Sequence, residues 1–96
     1  MLTGKQRSFL KGIANNLDPI FQVGKNGITE NFIKQVDQAL EAREIIKIKV
    51  LNNSLLDAKE VASELAKVTS SEFVQSIGNK LVLYRKSKES KKIVLP

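Results

Sequence analysis

The sequence has neither cysteine nor histidine among its 96 residues. Without thiols there are no disulfides, no thiolate metal sites and no thiol nucleophile. Without imidazole there is no histidine metal ligand, no Ser-His triad and no histidine acid/base pair. Tryptophan is also missing, and the aromatics are few: Phe9, Phe21, Phe32, Phe73 and Tyr84. Periodicity assigns four of these five to core faces, so a sheet of exposed stacking rings is excluded. Long apolar runs are absent as well. The N-terminal MLTGKQRSFLKGIANNLD resembles neither a signal peptide nor a membrane span, and the cytoplasm is the expected location. Asn52-Asn53-Ser54 matches a glycosylation acceptor but, with no secretory signal, is read as chance.

The composition is that of a folded soluble chain. Its length, residues 1–96, suits a single domain with one core, and 42% apolar residues is ordinary for such a domain. The net charge is +6. Residues 80–92 carry six basic side chains against the single acid Glu89, so nearly all the excess lies at the C-terminal end. A local field of that sign attracts polyanions, although a basic tail from about residue 86 to 96 is equally explained by solubility.

Hydrophobic spacing divides the chain into seven elements. Thr3 suits a helix cap, and Phe9, Leu10, Ile13 and Leu17 recur at helical spacing until Asn15, Asn16 and Asp18-Pro19 stop the helix. Ile20–Val23 reads as a short strand. A second helix starts at Thr29 and turns Phe32, Ile33, Val36, Ala39 and Leu40 to one side. Glu44–Leu51 alternates as a strand, with Ile46, Ile48 and Val50 opposite Lys47 and Lys49. Asn52–Ser54 is a loop. A third helix from about Asp57 to Val68 buries Ala58, Val61, Ala62, Leu65 and Val68. Glu72–Ile77 and Leu81–Tyr84 form a hairpin across Gly78-Asn79, and Ile93–Leu95 adds a strand or docks on the surface. The order α-β-α-β-α-β-β predicts a single α/β (α+β) domain with a four-stranded mixed sheet backed by helices. The crossover rule puts the second and third helices on one face.

The segment Phe21-Gln22-Val23-Gly24-Lys25-Asn26-Gly27-Ile28-Thr29-Glu30 holds the most specific local signal. Asn-Gly between apolar runs suggests a type I′ hairpin turn, but helical periodicity and a cap follow Gly27, so this is a strand-loop-helix corner. Two glycines allow close backbone approach, the helix start suits an anion, Lys25 adds positive charge and Asn26 an amide donor. Many such corners are plain turns. The spacing is neither that of a nucleotide P-loop nor that of a dinucleotide fold. Lys47 and Lys49 read as a polar strand face or as a ligand-facing surface. Tyr84 reads as a core residue or a base-stacking one, and Asp37 with Glu41 as a helix surface pair rather than a catalytic dyad.

Taken together, Leu10-Lys11-Gly12-Ile13-Ala14, Val23–Glu30, Gln38-Ala39-Leu40-Glu41, Ile46–Lys49, Ile77-Gly78 and Leu81–Arg85 resemble the stand-alone bacterial CRM-domain proteins of the YhbY type. The resemblance runs from Lys5 to Pro96. It implies a fold similar to the C-terminal domain of a bacterial translation initiation factor. It also implies RNA binding through the Gly-x-x-Gly loop and association with precursors of the large ribosomal subunit through their ribosomal RNA.

The expectation is a monomeric, non-catalytic RNA-binding assembly factor of pre-ribosomal particles, with no metal, cofactor or membrane role. Gly24, Lys25, Asn26, Gly27 and Thr29 form the expected phosphate seat. Lys5, Lys11, Lys47, Lys49, Arg85, Lys86 and Lys88 widen the basic footprint. Rival readings are a module that docks a ribosomal protein or translation factor, and an enzyme acting on RNA. The second lacks a visible acid/base or metal set.

Overall fold

The computed structural model describes residues 2–52, 56–89 and 91–96. Helix α1 (Gly4–Ala14) is followed by β1 (Phe21–Val23), α2 (Glu30–Arg43), β2 (Ile45–Val50), α3 (Ala58–Thr69), β3 (Glu72–Ile77) and β4 (Lys80–Tyr84). Thr3 opens α1 with a reciprocal cap: its hydroxyl accepts the Gln6 N–H at 3.1 Å and the Gln6 side chain accepts the Thr3 N–H at 3.1 Å. Of the loop expected at Asn52–Ser54, Asn53 and Ser54 lie outside the described residues.

The sheet order is β1-β2-β4-β3. Strands β1 and β2 are parallel, and β4 is antiparallel to both its neighbours. Strands β2 and β3 therefore run the same way, as the crossover rule requires, but the last strand has entered between them.

The alternation of β2 divides the core in two. Ile46, Ile48 and Val50 join Val23, Leu81 and Leu83 beneath α2 and α3, which bring Val36, Leu40, Val61 and Leu65. Ile45, Val74, Val82 and Tyr84 face the other way, beneath Leu10 and Ala14 of α1. Ile93 and Leu95 pack onto this second layer, so the chain's end docks on the surface without forming a strand. At about 25 cal/mol per Å², each fully buried Leu or Ile contributes roughly 1.5–3 kcal/mol.

Three placements differ from the pattern reading. Val68 is 49% exposed, and Thr69 takes the last buried place on α3 because its hydroxyl returns a hydrogen bond to the Leu65 carbonyl at 2.6 Å. Phe9 is 42% exposed beside fully buried Leu10, since α1 covers the sheet with a narrow stripe only. Glu44 does not open the strand. It closes α2 with φ 68°, and its side chain is fully buried.

Candidate nucleic-acid interface

Residues Gly24–Gly27 form a tight turn closed by the Gly27 N–H donating to the Gly24 carbonyl at 3.0 Å. A type I′ turn needs positive φ at both corners, and neither Lys25 nor Asn26 has it. The positive φ falls on Gly27, at +66°. A Cβ there would meet only the Leu56 side chain, at an ordinary 3.6 Å, so backbone conformation and not space favours glycine. Lys25 and Asn26 are exposed at the turn's corners.

Thr29 then caps α2, its hydroxyl accepting the Phe32 N–H at 3.1 Å. Among the described residues, the N–H groups of Lys25, Asn26, Ile28, Thr29, Glu30 and Asn31 donate no hydrogen bond. The corner therefore presents a run of open backbone donors next to a helix start, the usual chemistry of an anion seat. Glu30 occupies the acidic place in the first turn.

The strand register shows what lies beside this turn. Val23 pairs with Val50, and the Val50 N–H donates to the Asn79 carbonyl at 2.7 Å. The glycine turn, the end of β2 and the β3–β4 turn thus share one end of the sheet. At that end one row of side chains crosses all four strands on the α1 side: Gln22, Lys49, Lys80 and Ile77, each the register partner of the next. Lys47 lies one step behind and lines a shallow depression with Asn15, Gln75 and Lys80. Lys49 and Lys80 face each other directly, and like charges in that arrangement cost stability unless an anion relieves them. Among the described residues, none of Lys25, Lys47, Lys49 and Lys80 has an ion-pair partner. Sequence alone does not single out Lys80, because its neighbour across the sheet depends on strand order. Lys11 is exposed one turn before Asn15 on α1.

The remaining basic candidates lie elsewhere. Lys5 is in the first turn of α1, and Arg85, Lys86 and Lys88 follow β4, at the end of the sheet opposite the turn. Four rises of β4 alone separate the two ends by roughly 14 Å. Arg85 is committed to the fold. Its guanidinium donates to the Asp37 carboxylate at 2.5 Å, to the Asp37 carbonyl at 2.9 Å and to the Thr69 carbonyl at 2.9 Å. Tyr84 is buried in the α1-side core, where burial and then the Glu44 charge push its hydroxyl pKa up.

The basic tail is fixed rather than loose. Glu41 accepts the Ser87 hydroxyl at 2.6 Å and the N–H groups of Lys88 and Glu89 at 3.0 and 3.1 Å. Glu44 accepts the N–H groups of Ser87 at 2.8 Å, Lys92 at 2.5 Å and Ile93 at 2.8 Å. The Ser87 hydroxyl and the Lys88 and Glu89 N–H groups hold the Glu41 carboxyl below its ordinary value. Burial pushes Glu44 up, but its three N–H donors outweigh that and leave it lowered as well. Asp37 and Glu41 thus both serve the C-terminal segment, Asp37 through Arg85 and Glu41 through Ser87, Lys88 and Glu89.

The model of the CRS1/YhbY (CRM) domain family matches residues 2–85. The chain is 56% identical over 96 residues, the full length of both, to a protein of Bacillus subtilis named probable RNA-binding protein YqeI. It is 40% identical over 95 residues, 99% of this chain and 95% of the other, to a Haemophilus influenzae protein named RNA-binding protein. The solution structure of SAV1595 from Staphylococcus aureus, described as a candidate RNA binder, covers both chains fully at 57% identity with a TM-score of 0.83. A mixed four-stranded α/β domain with an open glycine turn at one end of its sheet is the class these features define. The chain belongs to the CRS1/YhbY (CRM) domain family.

Proposed function

We propose that this protein binds RNA through the Gly24–Gly27 turn and the lysine row beside it, without catalysing a reaction on it. The observation that carries this reading is the shared end of the sheet. Unbonded N–H groups of the turn stand next to a like-charged Lys49–Lys80 pair. The turn's N–H groups and the start of α2 would hold one or two phosphates, with Lys25 adding charge and Asn26 a hydrogen bond. Lys47, Lys49, Lys80 and Lys11 extend the footprint over the open part of the sheet.

The names of the relatives support an RNA ligand. The scarcity of exposed rings favours recognition of backbone and shape over base stacking. The RNA we propose is ribosomal, in precursors of the large subunit, and the protein acts there as an assembly factor in the cytoplasm. No helix among the described residues is long and apolar enough to cross a membrane.

The test is a salt titration on single-stranded ribosomal RNA fragments. Neutralising about five phosphates gives a log–log slope near −3 to −4. A slope near zero would overturn the reading. Crosslinking in cells, followed by sequencing of the bound RNA, would show whether large-subunit precursors are the target.

A further inference from the structure

The lysines after β4 lie at the other end of the sheet from the glycine turn. Their setting shows a separate arrangement. Lys86, Lys91 and Lys92 line an open cleft of about 460 Å³ together with Gln6 and the apolar Ile93, Val94 and Leu95, and no carboxylate lines it. Three of the nearby acids are otherwise engaged, while Glu72 and Glu89 line neighbouring depressions with Lys86. Asp37 is held by Arg85, Glu41 by Ser87 and its neighbours, and Glu44 is buried beneath three N–H groups. A tail kept only for solubility needs no fixed shape. This one is held by five backbone N–H donors, those of Ser87, Lys88, Glu89, Lys92 and Ile93. Two carboxylates, the buried Glu44 and the half-buried Glu41, order the backbone, while the lysines are exposed and unpaired among the described residues.

We infer that this cleft is a second phosphate-binding face, and that one domain holds two separate RNA segments at once, one at each end of its sheet. The inference rests on the RNA-binding reading above. RNA is favoured over an anionic membrane because three lysines line the cleft and Val94 is the single strongly exposed apolar side chain at its rim. Fixed in this way, the domain would bring two stretches of a folding RNA together without any chemistry of its own.

The test uses the full chain and two short blunt RNA stem-loops, one carrying a fluorescence donor and the other an acceptor. A stiff A-form stem cannot wrap from one end of the domain to the other. Native mass spectrometry counts stem-loops per chain, and energy transfer reports two on the same chain. The wild type is expected to hold two. Replacing Lys86, Lys91 and Lys92 by Gln should leave one and reduce the magnitude of the salt slope by about 2.7, because three phosphates of a duplex stem are no longer neutralised. Replacing the same three by Arg should restore the second, which separates loss of charge from loss of fold. Gly27→Asp should also leave one, and combining it with the Gln changes should leave none.

A wild type that holds one stem-loop, or a Gln variant that still holds two, overturns the inference. So does wild-type binding to phosphatidylserine vesicles in place of the second stem-loop. If Gly27→Asp keeps two while the Gln variant keeps one, the turn has failed as a site and the cleft stands. If the wild type holds one and Gly27→Asp abolishes it, the turn stands and the cleft has failed.

Discussion

The buried carboxylate of Glu44 accepts the backbone N–H of Ser87 at 2.8 Å, across 43 positions of sequence. The same residue holds a positive φ of 68°, a conformation that costs a non-glycine residue about 1 kcal/mol or more. Glutamate stands there because its two oxygens satisfy three N–H groups of the last segment. Glu44→Gln keeps the length but loses the charge and one acceptor oxygen. We expect it to lower stability by roughly 1.5–3 kcal/mol in urea unfolding. Amide exchange at Ser87, Lys92 and Ile93 should quicken most.

The same carboxylates set an acid limit. Both Glu41 and Glu44 sit below their ordinary value of 4.5 when folded. A lowered folded pKa gives stability that is complete above the unfolded value and lost as pH falls through the folded one. Stability should therefore be flat in these two groups from neutral pH down to about 5 and decline progressively below 4.5. Amide exchange of Ser87, Lys88, Glu89, Lys92 and Ile93, corrected for the intrinsic rate, should rise over that acid range. Release of the segment near pH 7 would contradict the assignment.

At Gly27, conformation and charge can be separated. Asn and Asp both tolerate a left-handed backbone, so Gly27→Asn and Gly27→Asp should each cost about 1 kcal/mol of stability and give native circular dichroism. The Asp variant places a negative charge in the proposed phosphate seat. Loss of one charge-assisted hydrogen bond corresponds to about 1.5 kcal/mol, so Asp should weaken RNA binding roughly tenfold or more, and Asn clearly less. Equal affinities for the two variants would remove the turn from the site.

Lysines at the loop end and Arg85 should respond in opposite ways. Neutralising Lys49 and Lys80 to Gln should bring the salt slope on single-stranded RNA about 1.4 closer to zero. It should leave stability unchanged or raised, because a like-charge pair across the strands is removed. Arg85→Ala should do the reverse. It loses the Asp37 pair and the Thr69 carbonyl contact, and a cost of about 1–2 kcal/mol in thermal unfolding should come with little change in slope.

Much of this architecture is legible in local sequence. Thr3 with Gln6, Thr29, and Gly78-Asn79 each act within a few residues of themselves, so their chemistry can be read without the fold. The Lys47/Ile48 alternation likewise announces two faces. Other features depend on distant partners. Glu44 looks like the first residue of a strand until Ser87 and Lys92 arrive beside it. Arg85 looks like a free cation until Asp37, 48 residues earlier, meets it. Lys80 becomes part of a basic row only once β4 is known to lie against β2. Periodicity puts Phe9 in the core and the structure does not, because spacing gives the direction of a helix stripe but not how much of it the sheet can cover.

Strand β4, the last to be synthesised, occupies a central place in the sheet and bonds to both β2 and β3. A growing polypeptide that has not yet reached Lys80 can pair β1 with β2, but β2 keeps an open flank and β3 has no strand to join. The sheet is therefore not completed until Lys80–Tyr84 has emerged from the translating ribosome, and any fragment ending before this strand should be sensitive to protease.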